Sequence, residues 1–285
     1  MYIFTEKDKK MAENQHNSLP TNDLGIITIV GSHGRMGNYF ASRLMATNAR
    51  EIRGIDIPLA PQDCEAAICD ADLVFLCIHV DVIGQVIKNS LLPYLNGKTV
   101  LADIGSVKML PIKRMRELYD GPVVGTHPLF GPYDLPAGSP PRRVIIVPDA
   151  LNENATQYVE RVFTSLGNET YRATSEAHDR AMAAFHNMNF LSTVAYFAAL
   201  GDPTPLEPFL LPSVKRRIEA ARVSLVNDAD MFLRLTRENP MTTEIMEEFM
   251  KQLKRVCDKD ELPKLIEQSQ VWFANKSQKE QGQND

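Results

Sequence analysis

Cysteine is scarce and does not cluster. Cys64, Cys69, Cys77 and Cys257 form no CxxC pair, and none stands near a histidine at metal-ligand spacing. This pattern argues against a disulfide framework or a zinc site and fits a reducing compartment, the cytoplasm. No apolar run approaches the roughly 20 residues that a membrane-crossing helix needs. The N-terminal stretch mixes acidic and basic residues and lacks the apolar core of a signal peptide. Positive charge is not in excess either: 31 Lys and Arg face 36 Asp and Glu, a net charge of −5. Nucleic acid and anionic membrane are therefore not expected as partners, while a small anionic substrate captured by local charge remains open.

What is present is the composition of a globular chain, 44% hydrophobic and 24% charged over 285 residues. That length holds one large domain or two modest ones. Residues 1–23 are polar without periodicity and predict a disordered tail, and residues 277–285 a frayed one. Over 24–172 short apolar runs alternate with helical patterns. Strands are expected at Ile26–Val30, Glu51–Asp56, Asp72–Ile78, Thr99–Asp103, Pro122–Thr126 and Arg143–Val147. Strands spaced by helices imply right-handed crossovers and a parallel, doubly wound sheet of Rossmann type. From residue 173 to 276 the period becomes helical throughout. Ser175–Leu200 reads as one long helix with apolar and small residues on nearly every side, which predicts burial in a core or against a second copy of the chain. Four prolines at 203, 205, 208 and 212 break the pattern, and further helices follow to Ala274.

The first strand runs into Gly31-Ser32-His33-Gly34-Arg35-Met36-Gly37. A dinucleotide loop needs a tight turn, close approach of backbone to pyrophosphate, and close helix–strand packing. Gly34 and Gly37 suit the second and third tasks. Ser32 stands where the first glycine is usual, so Gly31 is the candidate for the turn. The N–H groups opening the following helix would face the phosphates. Asp56 lies 19 residues beyond Gly37, at the end of the second strand, where a carboxylate can accept hydrogen bonds from ribose hydroxyls. An acid there repels a 2′-phosphate, so NAD is expected rather than NADP. Ile78, which ends the third strand, and His79 after it fall beside the same cofactor, unless His79 serves only as a cap or in packing.

Two segments follow strands four and five: Asp103-Ile104-Gly105-Ser106-Val107-Lys108 and Gly125-Thr126-His127-Pro128-Leu129-Phe130-Gly131-Pro132. Loops at the carboxyl ends of parallel strands line the ligand crevice. His127 there can act as a general base, because imidazole titrates near neutral pH. Ser106 can assist at the reacting group or cap the next helix. Lys108 can neutralise a substrate carboxylate or extend into solvent.

The SVK segment with the downstream HPLFGP resembles the paired signatures of prephenate and arogenate dehydrogenases, over about residues 25–275. The resemblance implies a NAD-dependent oxidative decarboxylation of prephenate to 4-hydroxyphenylpyruvate in tyrosine biosynthesis, with arogenate the alternative substrate. It implies that His127 takes the proton of the C4 hydroxyl, with Ser106 assisting, and that the chain is a homodimer through its helical half. His178, beside Asp179 at the start of the long helix, falls on the substrate side by the same resemblance, or else Asp179 serves only the first turn of its own helix. His186 and Asn189, three apart, share a helix face in an otherwise apolar stretch and point to substrate, to a second copy, or to a histidine satisfied within the core. A dianionic substrate calls for an arginine, and residues 214–227 supply Arg216, Arg217 and Arg222. Here the chain departs from the family, since Leu225 falls where relatives carry the carboxylate-binding arginine. Another Rossmann oxidoreductase, or a NAD-binding protein without catalysis, remains an alternative.

Overall fold

A computed structural model describes residues 2–3, 23–136 and 138–281, with side chains for 23–136 and 138–274. The expectation for the tail at 1–23 therefore falls almost wholly outside the described residues. The chain divides into two compact units, residues 1–182 with 229–240, and residues 183–228 with 241–285.

The first unit is built on an eight-stranded sheet. Its strands are β1 (Tyr2–Ile3), β2 (Ile26–Val30), β3 (Glu51–Ile55), β4 (Leu73–Leu76), β5 (Val100–Asp103), β6 (Val123–Pro128), β7 (Arg143–Val147) and β8 (Glu169–Arg172). Their order across the sheet is β1-β3-β2-β4-β5-β6-β7-β8. From β3 to β6 neighbouring strands run parallel. Helices α1 (Arg35–Leu44), α2 (Pro61–Ile68), α3 (Val80–Val86) and α4 (Met109–Leu118) make the crossovers. The chain goes from β2 out to β3 and returns to β4 on the other side of β2. The switch point that marks a ligand crevice in such sheets thus lies beside the end of β2.

Both faces of the sheet are covered, as parallel strands require. Side chains of β2 alternate between two cores. Ile27 and Ile29 join Phe40, Phe75 and Phe163, while Ile26 and Val30 join Ile55, Ile68, Leu76 and Ile83. Helix α5 (Glu153–Ser165) supplies Phe163 and is capped by Asn152, whose side chain accepts the Ala155 N–H.

Two features of this unit depart from the pattern read in the sequence. β7 runs antiparallel to β6, because the described residues of the connection across 129–142 hold no helix to carry the chain back to the other end of the sheet. β8 is an additional strand, parallel to β7, and α2 an additional helix with Pro61 in its first turn. Helices α6 (Ser175–Met182) and α9 (Ala229–Glu238) also belong to this unit, although their period resembles that of the helical half.

The second unit holds α7 (Met188–Leu200), α8 (Pro212–Arg222), α10 (Thr242–Val256) and α11 (Leu262–Gln281). The long helix expected from Ser175 is interrupted by a π-helical turn at Ala183–Asn187. A second π-turn, Val223–Asn227, closes α8. In the first of these turns Asn187 is buried and donates from Nδ2 to Thr242 Oγ1 at 2.7 Å. α11 continues to Gln281, into the stretch expected to fray.

Candidate active site

Gly31 leaves β2 with φ +87°, a conformation that a side chain rarely adopts, so it is the turn glycine. Its N–H donates to Ile55 O at 2.9 Å, as does that of Ser32 at 3.2 Å, which ties the turn to β3. A methyl group on Gly37 would overlap the carbonyl oxygen of Gly31, so the close packing of α1 on the loop needs glycine there. Gly34 occupies the cap of α1 without any side-chain hydrogen bond, and the first turn of the helix holds no acid. His33, Gly34 and Arg35 are exposed, Met36 is half-buried, and Ser32 is buried with its hydroxyl unpartnered. A helix start with uncapped N–H groups and no acid in its first turn is suited to an anion. Asp56 completes the loop. Its Oδ2 accepts His33 N–H at 2.7 Å, and its Oδ1 accepts Ile57 N–H at 2.8 Å. Those contacts fix the carboxylate at the end of β3 while it stays half-exposed. Ile78 is half-buried beside Gly31, and exposed His79 is the cap residue of α3 without a side-chain cap bond.

At the same edge of the sheet, His127 sits near the carboxyl end of β6. The ring is buried, and its Nδ1 lies 2.9 Å from His178 Nε2. The two rings meet edge to face, 5.1 Å between centroids. His178 Nδ1 lies 2.7 Å from Asp179 Oδ1. Both members of the His178-Asp179 pair are buried, so His178 meets the other histidine rather than solvent. Asp179 does not serve its own helix. Thr174 Oγ1 caps α6 by accepting Ala177 N–H, whereas Asp179 accepts the N–H groups of Lys108 and Met109 at the start of α4. No side chain within the SVK segment caps that helix. Ser106 is half-buried in the loop leading to it.

Lys108 corrects an expectation. It reaches neither solvent nor an open crevice: it is fully buried, with Nζ paired to Asp103 and donating to Thr126 O at 2.7 Å. Burial pushes the Asp103 carboxyl up and the Lys108 ammonium down, against the attraction of each for the other. Thr126 Oγ1 donates to Asp103 O at 2.7 Å, and Gly105 N–H donates to Asp103 Oδ2 at 2.9 Å. This cluster braces the ends of β5 and β6 next to His127. Neither Asp103 nor Asp179 was among the residues expected to act. The available signals were an acid as the last residue of a buried strand and an acid directly after a histidine.

The first unit thus brings together the glycine loop, Asp56, His79, Ser106, His127 and His178. His186, Asn189, Arg217 and Arg222 belong to the second unit. There His186 is half-buried and Asn189 exposed. Exposed Arg217 stacks over the Tyr196 ring at 3.7 Å, and exposed Arg222 lies 3.5 Å from Glu219.

Residues 42–171 match the family profile "Prephenate dehydrogenase, nucleotide-binding domain". The T-protein of Enterobacter agglomerans is 29% identical over 180 residues, which are 63% of this chain and 46% of that protein. The chain thus spans about half the length of the curated relatives it matches. Two solved structures share the fold. Prephenate dehydrogenase from A. aeolicus, in complex with hydroxyphenyl propionate and NAD+, gives a TM-score of 0.68 at 21% identity, covering 94% of this chain and 100% of that one. Arogenate dehydrogenase from Synechocystis gives 0.71 at 17% identity, covering 89% and 99%. Over these residues the chain is similar to the nucleotide-binding domain of the prephenate/arogenate dehydrogenase family.

Proposed function

We propose that the protein is a NAD-dependent dehydrogenase that converts prephenate to 4-hydroxyphenylpyruvate, with His127 as general base. The observation that carries this is His127 near the carboxyl end of β6, on the sheet edge that also holds the glycine loop, with Nδ1 already engaged by His178. A proton from substrate must then arrive at Nε2. The glycine loop fits a dinucleotide by its turn at Gly31, its uncapped helix start and the fixed carboxylate of Asp56. Bound there, the nicotinamide supplies a hydride acceptor. As hydride leaves C4, His127 takes the hydroxyl proton and a carbonyl forms. The bond to the ring carboxylate breaks, CO2 departs, and the electron pair aromatises the ring. The resulting phenolate takes the proton back from His127, so the base is regenerated. Ser106, half-buried in the loop before α4, is the candidate to hydrogen-bond the same hydroxyl. Arg217 and Arg222 are the candidates for the substrate carboxylates, the planar guanidinium being the favoured partner.

A second copy of the chain is the partner that the exposed apolar residues of the second unit support, among them Phe209 at 78% and Val226 at 71% exposure. All four cysteines are free, which fits action in the cytoplasm. Among the described residues no helix is long and apolar enough to cross a membrane.

The test is turnover of prephenate and of arogenate with NAD and with NADP. NADH and 4-hydroxyphenylpyruvate are expected from prephenate, and the His127→Asn protein should lose about a hundredfold or more in kcat while remaining folded. Unchanged kcat would exclude the base. Turnover of arogenate alone would move the substrate assignment to that compound.

A further inference from the structure

The polar groups behind His127 form a chain whose direction follows from its far end. Asp179 Oδ1 accepts the backbone N–H of Lys108 at 2.7 Å, and Oδ2 accepts that of Met109 at 2.8 Å. Peptide nitrogens can only donate, so both oxygens are turned to them as acceptors. A carboxylate held this way offers His178 Nδ1, 2.7 Å from Oδ1, an acceptor and nothing else. His178 therefore carries its proton on Nδ1, and in the neutral ring Nε2 is left with a lone pair. His127 Nδ1 lies 2.9 Å from that lone pair, so His127 donates from Nδ1. Its own lone pair is then on Nε2, the nitrogen that a base must use.

Further contacts hold the chain rigid. Asn239 Nδ2 donates to the backbone oxygen of Asp179 at 2.8 Å. His127, His178 and Asp179 are all buried, Asp179 fully so. Free imidazole distributes its proton between two nitrogens, and burial without a directing partner would leave that distribution unspecified.

We propose that His178 and Asp179 are positioning residues that hold His127 in the tautomer protonated on Nδ1 and stabilise the imidazolium formed when Nε2 receives a proton. This rests on His127 being the base. The same carboxylate anchors the start of α4, so the segment carrying Ser106 and the tautomer of His127 share one support. A purely structural role, in which Asp179 caps α4 and His178 only fills space, makes no demand on the tautomer.

The experiment uses the full chain with 15N-labelled histidine. Long-range 1H–15N correlation spectra are recorded at about pH 8, where ordinary imidazoles are neutral, with His127 assigned by its loss in H127N. The expected spectrum has a protonated Nδ1 and an unprotonated Nε2 at His127. His178→Phe should abolish that preference and lower kcat about a hundredfold, with KM changed less than about threefold, the signature of an interaction realised in the transition state. A base held in the wrong tautomer loses up to about 10⁴ in the triad enzymes, so a hundredfold loss is a conservative expectation. In H178Q the amide oxygen can accept from His127 Nδ1, and both readouts should partly recover. His127 protonated on Nε2 in the native protein would overturn the proposal, as would an unchanged kcat and spectrum in a folded H178F. Should H178F fail to fold, the native spectrum and H178Q decide. If the native protein turns over neither prephenate nor arogenate, the assigned function fails, while the spectrum still decides whether His178 directs His127.

Discussion

The two units bury apolar surface in opposite ways. In the first, sheet and helices enclose Phe40, Phe75 and Phe163 in mutual ring contact, with centroids 5.6–6.0 Å apart. In the second, the buried apolar residues among those described are Ala183, Phe190 and Ala221. Large side chains such as Phe185, Phe209, Val226 and Phe273 are more than half exposed there. A parallel sheet carries its own cover, because every crossover lays a helix on one of its faces. A set of helices gains most of its stability from packing of one helix on another and has no such guarantee. The first unit therefore encloses its own core, whereas the second leaves large apolar side chains exposed.

The largest expected effect tests this contrast directly. Phe163→Ala removes a ring from the aromatic cluster and should destabilise the protein by about 3–5 kcal/mol. Phe209→Ala, at 78% exposure, should cost no more than about 0.5 kcal/mol in dilute protein. Its effect should instead be on self-association, seen as a shift toward smaller species in sedimentation. Urea titration of both proteins measures the difference. Equal losses would mean that the second unit has a core as consequential as the first.

The same contrast decides what was legible in the sequence. β2, β4 and β5 are short continuous apolar runs ending at loops, a pattern that burial on both faces imposes, and they lie where they are expected. β8 was not legible because Glu169-Thr170-Tyr171-Arg172 forms a mostly exposed edge strand with no apolar signature. The direction of β7 was not legible because its apolar run is compatible with either sense. Only the helix-free connection, with Pro132, Pro136, Pro140 and Pro141, pointed to an antiparallel return. At the site, the glycines, Asp56 and His127 are local motifs and could be read as such. The partnership of Asp179 with α4, 70 residues away in the chain, is a tertiary fact that no local spacing carries. Burial of Lys108 defeats a rule of composition, since lysine is almost never enclosed unless paired, and its partner Asp103 was not recognised.

Next in size is the effect of Asp56. Both of its oxygens are oriented by backbone N–H groups, and a hydrogen bond to a charged acceptor contributes about 1.5–3 kcal/mol. Asp56→Ala should weaken NAD binding about tenfold or more and narrow the preference over NADP, as read by fluorescence titration with each nucleotide. The melting temperature should change little, because the side chain is half-exposed. An unaltered preference would remove Asp56 from the ribose site and leave the glycine loop as the sole support for the cofactor assignment.

The smallest effect belongs to the second unit, where a helix junction is held by charge rather than by a core. Glu261 Oε1 lies 2.9 Å from Lys264 Nζ and Oε2 lies 2.7 Å from Arg255 Nη2, joining the end of α10 to the start of α11. The hydrogen bonds from Lys264 and then Arg255 bring its carboxyl down from 4.5 to about 2. A carboxyl lowered on folding contributes stability that is fully present above its unfolded value. That contribution is lost as pH falls from about 4.5 toward about 2. The group is solvent-accessible, so the effect should be small and should weaken in salt. Helix content followed by circular dichroism from about pH 6 to 2.5 should fall more steeply in the parent than in E261Q, whose side chain does not titrate. If the two curves coincide, the junction rests on apolar contacts after all, and the second unit resembles the first more closely than its exposed side chains indicate.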